Sequence, residues 1–237
     1  MAKGEEQNLV ISIVEDILKT KSQEQPSLVW LTNRHTEEHF GKYYPTIQKI
    51  FSVLGGNEED LFKCKQQNQT KNVDAIFRDS WNFFLEFDEE QHFNPFRKLT
   101  LDYYPSDLTL GFSRDKYIEY CQGQRYLDIS LRKHGLPTNL KTVGEILNYC
   151  KEYNKIYAML KPSPGFPFPG GRMVQRAYLD CFKDILPVAH HFKPTIRISK
   201  FELLEAHDLM MNQPLQGIHR PRLLRTLKSL LDERLGL

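Results

Sequence analysis

Cysteine is scarce and scattered. Cys64, Cys121, Cys150 and Cys181 never fall in C-x-x-C spacing, which excludes zinc-ribbon and thioredoxin-type signatures and leads us to expect a reduced, intracellular protein. Long apolar runs are missing too. Nothing approaches the roughly 18 consecutive apolar residues of a membrane span, and the start of the chain, with Lys3, Glu5 and Glu6, has no apolar h-region. A cytoplasmic chain with no membrane partner is therefore expected. Charge of one sign is also lacking: 32 Lys+Arg against 30 Asp+Glu leave +2, so any basic surface must be local. No G-x-x-x-x-G-K-[ST] loop and no internal repeat occurs. What remains, 237 residues with 40% apolar and 26% charged, fits one globular domain spanning 1–237, with a helical insertion at about 95–160.

Apolar spacing predicts an amphipathic helix over Gln7–Lys19, through Leu9, Val10, Ile13, Val14, Ile17 and Leu18. A second is predicted over Thr46–Leu54, stopped by Gly55-Gly56, with a short strand at Ser27–Leu31 between the two. Lys63–Asn72 reads as a solvated loop. Val73–Phe77 and Asn82–Asp88 are β-prone runs separated by Arg78, Asp79 and Ser80, which predicts a hairpin. Four prolines and three glycines within Lys161–Gly171 dictate a surface loop. A helix is expected from Arg172 to a stop at Pro187, then a strand at Thr195–Ile198 and a basic C-terminal helix at 222–235. Together these elements predict an α/β fold with a central mixed β-sheet flanked by helices.

The hairpin carries the chemistry. A period of two puts Phe83, Leu85 and Phe87 on one face and Phe84, Glu86 and Asp88 on the other. Asp74 shares the acidic face if it lies opposite Glu86, and takes the other face if the register shifts by one. Carboxylates gathered among aromatics repel one another and lose solvation unless a hard cation accepts their oxygens; Mg²⁺, which needs one or two protein carboxylates and suits phosphate chemistry, is the natural ion. A solvated acidic edge is the plain alternative.

Val73-Asp74-Ala75-Ile76-Phe77, then Glu86-Phe87-Asp88-Glu89-Glu90-Gln91-His92-Phe93 with Arg97 and Leu99 beyond, resembles the core of the PD-(D/E)XK nuclease superfamily, in particular the branch related to the very-short-patch repair endonuclease. The resemblance covers Val73–Leu101. It implies a restriction-endonuclease-like core in which Asp74 and Glu86 bind the metal, with the Phe87 carbonyl as a third ligand. It also implies that His92 lies near the attacking water or scissile phosphate, with Gln91 as a polar positioning group. Two departures stand out: the customary Lys is replaced by Asp88, which would then orient water or hold a second cation, and the expected Gly is Glu89. A weaker echo of the fold lies in Arg176–Asp180 and the strand ending at Ile198.

Phosphate contacts are sought among local cations. Arg97 either touches phosphate or pairs with Glu89 or Glu90. Arg220, Arg222 and Arg225, with Lys228 and Arg234, give the last helix a basic face. Arg172 and Lys161 bracket the Pro/Gly loop, and Lys193, Arg197 and Lys200 flank the late strand. His190-His191 lacks the partner spacing of a zinc site. The expected function is a Mg²⁺-dependent, or Mn²⁺-dependent, DNA endonuclease of restriction or repair type, which as a single-site enzyme would need a homodimer for a double-strand cut. The rivals are an inactive nuclease-fold protein that binds nucleic acid or regulates a partner, and a metal-free acid/base hydrolase using Glu86 and His92.

Overall fold

In a computed structural model the chain is described for residues 4–23, 28–63, 73–153 and 161–236. The elements run α1 (Glu5–Leu18), α2 (Glu37–Phe40), α3 (Tyr44–Val53), α4 (Glu58–Lys63), β1 (Ala75–Phe77), β2 (Phe83–Asp88), α5 (Pro95–Asp102), α6 (Arg114–Gln122), α7 (Gln124–Lys133), α8 (Val143–Tyr153), α9 (Gly171–Ala189), β3 (Ile196–Ser199), α10 (Lys200–Glu205) and α11 (Arg220–Leu235). The class is α/β with a small mixed sheet. β1 pairs antiparallel with β2, Ala75 opposite Leu85, and β3 pairs parallel with β2, Leu85 opposite Ile196. A parallel neighbour requires a long crossover, which here contains α5 to α9. Among the described residues no helix is long and apolar enough to cross a membrane.

Helices cover both faces of the sheet. Ala75, Phe77, Phe83, Leu85, Phe87, Ile196 and Ile198 share one core with Val10, Ile13 and Val14 of α1 and Leu223, Leu227 and Leu231 of α11. On the other face Ile76 and Phe84 join a larger core with Phe96 and Leu101 of α5 and Ala177, Tyr178 and Cys181 of α9. The alternation that sends Leu85 and Phe87 toward α1 and α11 sends Glu86 and Asp88 beneath α9, where both carboxylates are buried.

Several sequence expectations change. Residues 28–31 form a turn and no strand, and Trp30 stacks on His190 with ring centroids 4.4 Å apart. Lys63 ends α4, and the remainder of the anticipated loop, 64–72, lies outside the described residues. Helix α9 does not stop at Pro187 but runs on to Ala189. Proline lacks the N–H that would bond the carbonyl four residues back, and the freed Lys183 carbonyl instead accepts a 2.5 Å hydrogen bond from the Thr195 hydroxyl just before β3. The start of α9 is equally constrained: a Cβ on Gly171 would lie 2.0 Å from the Phe166 carbonyl oxygen of the Pro/Gly loop, so only glycine fits there.

Candidate functional site

The observed register continues one residue past β1 to place Asp74 opposite Glu86. Each carboxylate is held by the other's strand. The Asp74 amide donates to Glu86 Oε1 at 3.1 Å, and the Phe87 amide donates to Asp74 Oδ2 at 2.7 Å. A lysine completes the group: Lys183 Nζ, from α9, donates to Glu86 Oε2 at 2.5 Å. Asp74 Oδ1 accepts no hydrogen bond among the described residues. Burial raises the Asp74 carboxyl above its ordinary value against the pull of Lys183, and burial pushes Glu86 up to about 7. For Lys183, burial favours the neutral amine but Glu86 and Asp74 outweigh it, so its value is raised and it stays an ammonium.

This acid, acid, lysine group opens on a cavity of about 180 Å³ lined by Asp74, Glu86, Phe87, Gln91, His92 and Lys183. Gln7 and Asp74 form a shared wall with a larger cavity of about 410 Å³ beside α1. His92 and Lys183 form a shared wall with a third, of about 240 Å³, beside the first half of α9. The carboxylates therefore sit midway along a row of three cavities. Gln91 donates its side-chain amide to Glu89 at 2.9 Å.

Asp88 has a different fate. Its two oxygens lie 2.8 and 3.0 Å from Arg197 Nη1, and Tyr117 donates to Oδ2 at 3.0 Å. Burial works against its charge, but Arg197 and His92 outweigh burial and hold the carboxyl below its usual value. Arg197 Nε also bonds Asp184 Oδ1 at 2.5 Å, and Asp184 Oδ2 accepts from Arg97 Nη2 and Tyr104, both at 2.6 Å. His92 closes the cluster through Nδ1, 3.1 Å from Asp180 Oδ2 and 3.4 Å from Asp88 Oδ1. Burial opposes protonation of His92, yet Asp180 and Asp88 prevail and raise its value. Three carboxylates thus face two guanidiniums and the His92 imidazole in a site where an unmatched charge is costly.

These contacts correct four roles expected from the sequence. Asp88 has no oxygen left to orient water or hold a second cation, because Arg197 and Tyr117 take both. Arg97, 1% exposed, is bonded to Asp184 and not to phosphate, Glu89 or Glu90. Arg197, 0% exposed, is likewise interior, and Lys200 is buried between Glu6 and Glu90, each 2.9 Å away. Arg172 lines the third cavity. Arg220 pairs with Asp16 and Ser12 of α1, and Arg222 and Arg225 are exposed on α11 without lining any of the three cavities. His190 Nε2 lies 2.9 Å from the His39 carbonyl oxygen.

Lys183, Asp180 and Asp184 were not among the residues expected from the sequence. Their signal is the stripe Arg176, Asp180, Lys183 and Asp184, a charged row at helical spacing along an otherwise apolar helix. Among the described residues no three His, Cys, Asp or Glu side chains form a metal cage. Asp74 and Glu86 do offer the one or two hard carboxylates that Mg²⁺ takes from protein, and the unbonded Asp74 Oδ1 fits such an ion.

Residues 49–126 match the model of a family of unknown function (DUF7255). That span holds Asp74, Glu86, Asp88 and His92 and omits Lys183 and Arg197. No curated protein and no solved structure matches the chain.

Proposed function

We propose that the chain is a divalent-metal-dependent endonuclease that hydrolyses DNA phosphodiester bonds, of restriction or repair type, built on a restriction-endonuclease-like core. The observation that carries this reading is the union of Asp74, Glu86 and Lys183 at one cavity, with Lys183 of α9 supplying a lysine beside the carboxylates although the motif's own lysine is missing. Asp74 and Glu86, with the Phe87 carbonyl, would hold Mg²⁺ or Mn²⁺. When bound, such an ion supplies positive charge for the phosphoryl oxygens and lowers the pKa of water. The remaining work falls to the chain itself. The Lys183 ammonium offsets charge that builds on the phosphate. His92, its value raised by Asp180 and Asp88 against burial, lines the cavity with Nε2 unbonded among the described residues and would donate a proton to the departing oxygen.

Incubation of the purified protein with plasmid should give cleavage in Mg²⁺ and none in chelator. Asp74→Asn and Glu86→Gln should each abolish it while the protein stays folded, and His92→Gln should slow it by about a hundredfold. Cutting that survives either carboxylate substitution would overturn the reading. A second reading, a nuclease fold that binds nucleic acid without cutting it, draws on the ion pair that already holds Glu86 Oε2. Calorimetry with Mg²⁺ separates the two, since the binding protein takes up no ion through Asp74 and Glu86.

A further inference from the structure

We infer that the cavity beside the first half of α9 is a phosphate-binding subsite centred on Arg176, and that it takes the backbone phosphate next to the one attacked; the second clause rests on the nuclease reading, the first does not. The cavity, about 240 Å³, is lined by Arg172, Arg176, His92 and Lys183. Three of these four cations have partners. Lys183 pairs with Glu86, His92 with Asp180, and Arg172 donates through Nη1 to Gln175 Oε1 at 2.9 Å. Arg176 stands apart. Among the described residues it makes no hydrogen bond and no ion pair, and its Nη1 is buried from solvent.

Nη1 of this half-buried guanidinium has lost water without gaining an acceptor, an arrangement that costs stability unless an anion completes it. Burial, with Arg172 adding like charge, lowers the Arg176 value against the pull of Asp180. Asp180 is the acid on the cavity wall, and it forms no ion pair with Arg176: His92 holds Oδ2, and Oδ1 lies 3.6 Å from Arg197. Gln175 cannot serve it either: its Oε1 already accepts from Ser163 at 2.6 Å and from Arg172. Among the described residues no acceptor completes Arg176, and the partner suited to it is anionic and presents several acceptor oxygens to a planar donor fork. A phosphate group meets those terms. His92 and Lys183 wall both this cavity and the one holding Asp74 and Glu86, so a strand with one phosphate at the carboxylates lays a neighbouring phosphate beside Arg176.

The test is run in chelator, so that cleavage plays no part. Inorganic phosphate and hexathymidylate are titrated calorimetrically into the wild-type protein, Arg176→Gln, Arg176→Lys and Asp74→Asn at fixed salt, and the Tm of each is measured with and without phosphate. Arg176→Gln should weaken both ligands at least tenfold and erase the phosphate-induced rise in Tm, while the Tm without ligand stays level or rises. Arg176→Lys should recover part of the affinity, and Asp74→Asn, which removes a negative charge from the adjoining cavity, should weaken neither ligand. A fall in the ligand-free Tm with undiminished phosphate affinity would make Arg176 a packing residue and overturn the inference. Binding of inorganic phosphate without hexathymidylate would overturn its assignment to a nucleic-acid strand. Arg176-dependent binding in a protein that never cuts DNA would retain the subsite and remove the nuclease reading alone.

Discussion

Glu86 and Asp88 stand two residues apart on one strand, point to the same side of the sheet and are equally hidden from solvent, yet their surroundings set them to opposite ends of carboxylate behaviour. Asp88 meets a guanidinium that grips both oxygens, and its carboxyl is held below the usual range. Glu86 meets a single ammonium on one oxygen and a second carboxylate across the hairpin, and burial pushes it up to about 7. The lesson is that burial alone does not set a carboxylate's behaviour; the charges that face it do. Asp88 is gripped by a guanidinium on both oxygens, whereas Glu86 is held by one amide and one ammonium beside a cavity and faces a second carboxylate.

The sharpest way to break this contrast is to neutralise each acid in turn. Asp88→Asn leaves Arg197 facing one carboxylate too few, and Arg197→Leu strands Asp88 and Asp184. Each should cost about 3–5 kcal/mol in chemical denaturation, the usual penalty for orphaning a buried charge. Glu86→Gln keeps an acceptor for the Asp74 amide and breaks the ion pair of Lys183, an ammonium that is part-exposed, so it should cost less, about 1–2 kcal/mol. Equal losses at the two positions would erase the distinction.

Next in size is the pH dependence of metal uptake. A cation must displace the proton that Glu86 carries near neutrality, so Mg²⁺ affinity measured by calorimetry should rise with pH and fall roughly tenfold per unit below about 7. A flat profile would mean that Glu86 is not a ligand.

His92 tests the sealed half. Its value is raised in the folded state, so the stability it contributes is complete below the unfolded value near 6.5 and is lost as pH rises through the higher folded value. Urea midpoints should show the difference between wild type and His92→Gln shrinking from pH 6 to pH 9. A difference that grows with pH would show that His92 enters the cluster neutral.

The smallest effect is expected at the surface. Arg220→Ala removes an exposed pair with Asp16 and should change stability by less than about 1 kcal/mol. A larger loss would make α11 a more demanding partner of α1 than its leucine contacts imply.

Much of this contrast was legible in the sequence, and the rest was hidden for identifiable reasons. Alternation along Phe83–Asp88 is a local property, so the acidic face and its sharing with Asp74 could be read directly once the register was taken as Asp74 opposite Glu86. The helices α1, α3 and α11 announced themselves by leucine, isoleucine and valine spacing in the same way. Lys183 was invisible because its partner lies 97 residues away, and nothing local says that a lysine on an amphipathic helix faces inward. Arg97 and Arg197 looked like surface cations for a related reason: they are buried only because α9 brings Asp180 and Asp184 over the sheet. The continuation of α9 through Pro187 escaped notice because the group that replaces the missing amide, the Thr195 hydroxyl, comes from a different element.

That threonine has a mechanical consequence. Lys183 is fastened at both ends, its carbonyl to the residue that precedes β3 and its ammonium to the middle of β2. A helix can slip along a sheet by one turn only if its anchors let go together, and here a single residue carries two of them. Pro187, often regarded as a flaw in a helix, acts as a registration pin: by freeing one carbonyl it locks the long helix against the two parallel strands and sets the depth to which the lysine reaches.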